Sequence, residues 1–221
     1  MRKKLIEIIY KLKLTFLLKI IYRIFSCSFK VKKNNIFSVN HTVMLRSKFT
    51  VNGKNNKVEI ENDSFLENCN IKIIGNNNSV KIGKNTYANN LNLIIENNDN
   101  NINIGENFFV CGNTRLYVVD GSTLSFGNDC MLSDNIEMRT TDNHGIFDLD
   151  TGVRINPEKD ICIGNHVWIG MGVTVLKGVS ISNGCILGAK SIITKSIEEE
   201  NCCVVGNNNI VKRNVTWTMS R

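Results

Sequence analysis

The chain has 221 residues, of which 42% are hydrophobic, with one proline, eight cysteines and a formal net charge of +7. That content supports a buried core and excludes global disorder, and the length suits one domain with a small appendage. The charge is lopsided: residues 1–33 hold ten Lys or Arg against Glu7 alone, and the remainder holds 17 basic against 19 acidic residues, which excludes a nucleic-acid surface spread over the domain.

Residues 1–35 form the first expected segment. Lys4, Glu7, Lys11, Thr15, Lys19 and Arg23 fall on one helical stripe, and Leu5, Ile9, Leu12, Phe16, Ile20 and Ile24 lie opposite. Charges interrupt every stretch long enough to span a bilayer. Lys11, Lys13 and Lys19 also break any signal-peptide core, and no small-residue cleavage site follows. The expectation is a short basic amphipathic helix. It lies either on an anionic membrane surface or against the domain or another subunit.

Residues 36–205 are repetitive. Ile60, Ile82, Ile104 and Phe126 are each 22 apart, and the last three open "IGKNTY", "IGENFF" and "FGNDCM". Asn-rich corners keep the same step, because Asn, Asp and Gly tolerate positive φ. Later the step shortens to six: Ile163, Ile169, Val175, Ile181, Leu187 and Ile193, with Val167, Val173, Val179, Cys185, Ser191 and Ile197 four residues behind each. No single helix buries a six-residue period as one stripe. Three short strands with tight turns make an 18-residue triangular coil, and 22 is that coil with about four extra turn residues. Stacked coils give a solenoid, and about seven would make a prism ~35 Å tall.

The pattern breaks after Met138. The next core position would be 144, which is His144 within "TTDNHGIFD", and aliphatic stacking resumes only at Ile161 and Ile163. The span between is charged and holds Pro157. A loop is therefore expected to leave the prism near 145–160, with His144 at its root. Residues 206–221 are expected to be a C-terminal tail. The cysteines lack C-x-x-C spacing and Cys202 adjoins Cys203, so they are expected to be buried thiols in a reducing compartment, with no metal site.

"IGNHVWIGMGVTVLKGVSISNGCILGAKSIITKSI" resembles the C-terminal half of the hexapeptide-repeat acyltransferases, in their sugar and polysaccharide O-acetyltransferase branch. The resemblance implies an all-β fold, a left-handed parallel β-helix. It also implies direct transfer of an acetyl group from acetyl-CoA to a sugar hydroxyl, with no metal. His144 would act as general base, since a largely neutral imidazole can take the hydroxyl proton as the oxygen attacks. Asp142 and Asp148 are both candidates to orient it. Trp168 would wall the acetyl-CoA groove, with Gly170, Met171 and Ala189 along the pantetheine arm. Thr194, Lys195 and Arg213 would face the adenine and phosphates. Lys190 replaces a usual glycine, and "GNNNIVKR" at 206–213 lacks the usual Pro-Ala pair. His166 reads as a solvated corner.

A homotrimer is also implied, with each site between two subunits and Asn113 and Asp120 near the acceptor. The leading expectation is an O-acetyltransferase acting on a bacterial-type surface polysaccharide or its lipid-linked precursor. It would be cytoplasmic and peripheral at the inner face of the cytoplasmic membrane. Alternatives are an N-acetyltransferase of an amino sugar or nucleotide sugar, a zinc hydratase on the same solenoid, and a non-catalytic scaffold. Three histidines without close spacing disfavour the hydratase, and the loop disfavours the scaffold.

Overall fold

The computed structural model describes residues 25–219. Residues 1–24, which carry most of the expected amphipathic helix, lie outside the described residues. Described residues 25–35 contain a turn and the strand Ser28–Val31, so the prism starts eight residues before the boundary expected at 36. The basic run conceals a strand alternation: Phe29 and Val31 pack against the core, with exposed Lys30 between them. Phe29 stacks on Phe49 at 5.0 Å between centroids.

Three sheets form the prism. The first face has eight parallel strands, from Ser28–Val31 to Ile192–Ile193, and the second has seven, from Ile36–Val39 to Ser180–Ile181. The third face has eight parallel strands, from Val43–Leu45 to Cys203–Val205, and a ninth, Asn209–Lys212, added antiparallel. Eight coils at ~4.8 Å spacing give a height of ~34 Å.

Each face sends one column of side chains inward. Phe49, Ile71, Leu93, Leu116, Met138, Val175 and Ile193 stack from the first face, and Ile60, Ile82, Ile104, Phe126, Ile163 and Ile181 from the second. Leu66, Ala88, Val110, Leu132, Ile169, Leu187 and Val204 stack from the third. All of these are buried, and each large one stabilises the prism by ~1.5–3 kcal/mol. The six-residue period is thus one inward residue per face.

Register measures the coils. Ile71 to Leu93 is 22 residues, Val175 to Ile193 is 18, and Met138 to Val175 is 37. The long coil is therefore an 18-residue coil with 19 residues inserted. The extra residues of the lower coils sit at the corner after the first face. Asn55, Asn77, Asp99 and Asp120 take positive φ there, as expected. Buried beside them is a ladder of asparagine side chains. The Nδ2 groups of Asn56, Asn78 and Asn100 each donate to the Oδ1 of the asparagine one coil below, starting at Asn35, at 2.9 Å. At Gly75 (φ +144°) a Cβ would lie 1.7 Å from the Asn97 carbonyl oxygen, so glycine is required.

The expected tail is part of the fold. Beyond its antiparallel strand Val215 N donates to the Asn201 carbonyl oxygen at 2.9 Å, and Trp217 stacks on His166 with centroids 4.4 Å apart. Trp217 Nε1 donates to the His166 carbonyl oxygen at 2.9 Å. His166 is accordingly half-buried under an aromatic ring, and its reading as a solvated corner is corrected. All eight cysteines are free. Burial pushes Cys69 and Cys202 up to about 12 and Cys130 to about 11, but Cys162, at the outward position of the strand Ile161–Ile163, and Cys111, just past the strand Phe109–Val110, are exposed.

Candidate active site

The 19-residue insertion leaves the edge between the first and second faces. Thr140 and Thr141 are buried at its start. Thr140 Oγ1 bonds Ser122 Oγ at 2.7 Å, and the Thr140 carbonyl oxygen accepts from Lys159 N at 3.1 Å. The outgoing and returning limbs are thus tied at the prism wall. Farther out they pair as a hairpin, with an antiparallel bridge between Phe147 and Arg154. Its apolar side chains face solvent: Leu149 is 98% exposed, and Ile146, Phe147, Val153 and Ile155 each exceed half.

His144 sits on the outgoing limb, exposed, and its ring has no hydrogen-bond partner among the described residues. Its backbone is held from the other limb. Asn156, 9% exposed, donates from Nδ2 to the His144 carbonyl oxygen (2.9 Å) and to Asp142 Oδ2 (2.8 Å), and accepts from Ile146 N at 2.6 Å. Lys177, one coil above, closes the knot. Its Nζ lies 2.6 Å from Asp142 Oδ2 and donates to the carbonyl oxygens of Asn156 and Pro157 at 2.8 and 3.0 Å. The Lys177 ammonium holds the Asp142 carboxyl below the usual carboxylate range.

Neither candidate carboxylate bonds the His144 ring. Asp142 is committed to Lys177 and Asn156. Asp148 caps the hairpin turn, accepting from Thr151 N at 2.8 Å and Thr151 Oγ1 at 2.7 Å, and these bonds lower its pKa. Asn156, Lys177, Arg154 and Glu158 escaped the sequence reading. Arg154 grips Glu158 through two bonds, at 3.1 and 2.7 Å, and Glu158 accepts from Thr141 Oγ1 at 3.1 Å. Proximity of Pro157 to the end of the charged loop was the only available signal.

The other expected residues divide between edges. Trp168 lies on the outer side of the third face, 6.2 Å from Trp217 between centroids, with its Nε1 3.4 Å from Ser133 Oγ. Gly170, Met171, Ala189 and Asn113 occupy the edge joining the third face to the first. At Gly170 a Cβ would lie 2.7 Å from the Leu187 carbonyl oxygen. Thr194 and Lys195 sit on the same edge as His144, two coils higher. Thr194 Oγ1 donates to Asn208 Oδ1 at 2.9 Å, and Asn208 Nδ2 donates to the Lys195 carbonyl oxygen at 2.7 Å. Arg213 is paired with Glu199 at 3.0 Å. Asp120 lies on the edge of His144, one coil below. One chain therefore brings together His144, Asp142 and Asp120, and it separates them from Trp168, Gly170, Met171, Ala189 and Asn113 by the width of the first face. No group of three or more metal-ligating side chains occurs among the described residues.

Residues 163–195 match the profile described as bacterial transferase hexapeptide (six repeats). A polysialic acid O-acetyltransferase of Neisseria meningitidis is 49% identical over 67 residues, covering 30% of this chain and 31% of that protein. One from Escherichia coli O1:K1 is 41% identical over 61 residues, or 28% and 20%. The matched stretch thus spans about a third of the first curated relative and a fifth of the second. Among solved structures the likeness runs the length of the prism. The polysialic acid O-acetyltransferase OatWY is 35% identical with a TM-score of 0.83, covering 88% of this chain and 92% of that one. The polySia specific acetyltransferase NeuO is 32% identical with a TM-score of 0.80, covering 88% and 90%.

Proposed function

The chain belongs to the hexapeptide-repeat acetyltransferases, and from that premise we propose that it transfers an acetyl group from acetyl-CoA to a hydroxyl of an acidic, sialic-acid-like surface polysaccharide. The observation that carries this reading is the placement of His144, exposed at the root of a loop whose two limbs are locked around its backbone by Asn156. Likeness to two polysialic acid O-acetyltransferases over nearly the whole chain supports the substrate class.

In this reading His144 accepts the proton of the sugar hydroxyl as its oxygen bonds to the thioester carbon. The carbonyl electrons return from the oxyanion, the C–S bond breaks, and the CoA thiolate leaves to take up the proton. General-base assistance of this kind supplies ~10²–10⁴-fold. Locked loop limbs keep the imidazole where the acceptor meets it. Trp168, Gly170, Met171 and Ala189 would take the donor from a second subunit, because they lie an edge away from His144. The exposed apolar hairpin of Ile146, Phe147 and Leu149 supports such an assembly, since it gains by covering against a neighbour. A homotrimer is the proposed assembly. The basic N-terminal residues suit the cytoplasmic membrane face, where an anionic lipid surface would hold them.

The test is thiol release from acetyl-CoA with polysialic acid, with wild type and His144→Ala side by side. Polymer-dependent release, an alkali-labile ester in the product, and loss in the variant are expected. An alkali-stable acetyl group would mean N-transfer, and turnover surviving the substitution would remove His144 as base.

A further inference from the structure

Below the loop, on the outer side of the first face, lies a cleft of about 530 Å³. Asn143 and Gly145, the two neighbours of His144, form part of its wall, and Arg115 and Tyr117 line it from the strand Thr114–Val119. A molecule held there lies beside the His144 position.

The charges in and around this cleft are almost all spent. Arg154 is gripped by Glu158. Glu96 accepts from Tyr117 Oη at 2.7 Å and faces Lys72 at 3.7 Å. Asp120 accepts from Asn97 Nδ2 at 2.6 Å. Glu137, next to Arg115 in the outer row of the same face, is paired with Arg139. Arg115 stands apart. It is exposed and forms no ion pair among the described residues; its guanidinium lies 5.6 Å from the Tyr117 ring centroid. An arginine resting on an aromatic face is partly preorganised, and its planar fork matches a carboxylate with two parallel bonds. The remaining oxygens of Asp120 and Glu96 are acceptors suited to hydroxyl groups. One free guanidinium among hydroxyl acceptors fits a ligand unit with one carboxylate and several hydroxyls, and the surrounding carboxylates oppose a denser polyanion.

We infer that Arg115 reads the carboxylate of an acidic sugar unit seated in this cleft, and thereby turns a hydroxyl of that unit toward His144. The inference rests on the acetyl-transfer reading of the site and adds the residue that selects acidic over neutral glycans.

Two measurements on the full chain test it. Equilibrium binding of fluorescently labelled polysialic acid, without acetyl-CoA, is compared with that of the carboxyl-reduced polymer for wild type, Arg115→Gln and Arg115→Lys. Steady-state acetylation is then measured on the same set. Loss of a charge-assisted pair predicts weakening of about tenfold or more for Arg115→Gln on the acidic polymer. KM should rise more than kcat falls, Arg115→Lys should recover part of the affinity, and the reduced polymer should bind wild type and Arg115→Gln alike. The thermal midpoint should hold, because the side chain points outward and joins no ion pair. Equal affinity of wild type and Arg115→Gln for the acidic polymer overturns the inference while leaving acetyl transfer intact. Arg115-dependent binding without any turnover would overturn the acetyl-transfer reading and keep the cleft. Absence of wild-type binding to the acidic polymer overturns the inference itself.

Discussion

Asn156 reaches across the loop and donates to the backbone carbonyl oxygen of His144 at 2.9 Å. The side chain is buried and makes three further hydrogen bonds to Asp142, Ile146 and Arg154, so the His144 backbone is held by a residue twelve positions away in sequence. Replacing Asn156 with Ala leaves the Ile146 N–H and the His144 carbonyl without partners, at ~1–3 kcal/mol for an orphaned group. A displaced catalytic group costs ~10²-fold. The expected result is a kcat/KM lower by about that factor with the prism still folded, read from turnover and from a thermal melt. Wild-type turnover in Asn156→Ala would mean the loop root needs no such brace.

His144→Ala should lower kcat by ~10²–10⁴-fold while acetyl-CoA binding, measured by calorimetry, persists. Loss of donor binding in this variant would place the histidine in the donor pocket instead.

Asp142 and Lys177 make the loop acid-sensitive in a defined direction. The folded carboxyl titrates below its ordinary value because of Lys177, so the pair is fully formed above the unfolded Asp pKa of ~3.9 and is lost as pH falls through the lower folded value. The carboxylate is 41% exposed, and solvent screening keeps the effect modest. Urea midpoints measured from about pH 5 downward should fall less steeply below about pH 4 for Asp142→Asn than for wild type. Parallel curves would dissociate the pair from stability.

Within the lower coils, Asn78 donates from Nδ2 to Asn56 Oδ1 and accepts from both the side chain and the backbone of Asn100. Asn78→Leu fills similar space but strands the buried Asn100 N–H, at ~1–3 kcal/mol, while Asn100 Nδ2 keeps the Glu96 carbonyl oxygen at 3.0 Å. A lowering of the thermal midpoint by several degrees is expected, since ~1 kcal/mol shifts a domain of this size by ~2–4 °C. An unshifted midpoint would mean that solvent repairs the ladder.

The fold was readable because its period is arithmetic: one inward residue per face sets six, and three faces set 18. The place of His144 at the root of the loop was readable for the related reason that a core position fell on a polar side chain. What surrounds it was not. Asn156, Lys177 and Glu158 reach Ile146, the Asn156 carbonyl and Thr141 across 10 or more residues, and the short Arg154–Glu158 spacing looks like that of any solvated loop pair. Asp142 and Asp148 were equal candidates in sequence; the structure gives one to Lys177 and the other to the hairpin turn. The buried asparagines were read as corner residues, since the same residue type serves positive φ and side-chain ladders. Trp217 is separated from His166 by 51 residues, and no repeat pattern connects them.

Trp217→Ala tests that last contact. Loss of a buried tryptophan costs ~3–5 kcal/mol when its packing is as complete as its 7% exposure indicates. Here the damage should stay local to the tail. Limited proteolysis should cut beyond Gly206 far faster than in wild type, while the prism fragment stays intact. Wild-type resistance would show that the antiparallel strand alone holds the segment.

The coil count also works as a measuring stick. The strand that delivers the loop, Ile136–Arg139, is the sixth of eight on its face, so five rungs of ~4.8 Å hold His144 ~24 Å above the level where the chain enters the prism. Successive 22-residue coils repeat one register, and each touches only its neighbours. Removing or adding one coil would therefore shift that working height in steps of ~4.8 Å, leaving the chemistry of the loop unchanged. The lower half of the molecule is a pedestal whose length the sequence can adjust independently of the site it carries.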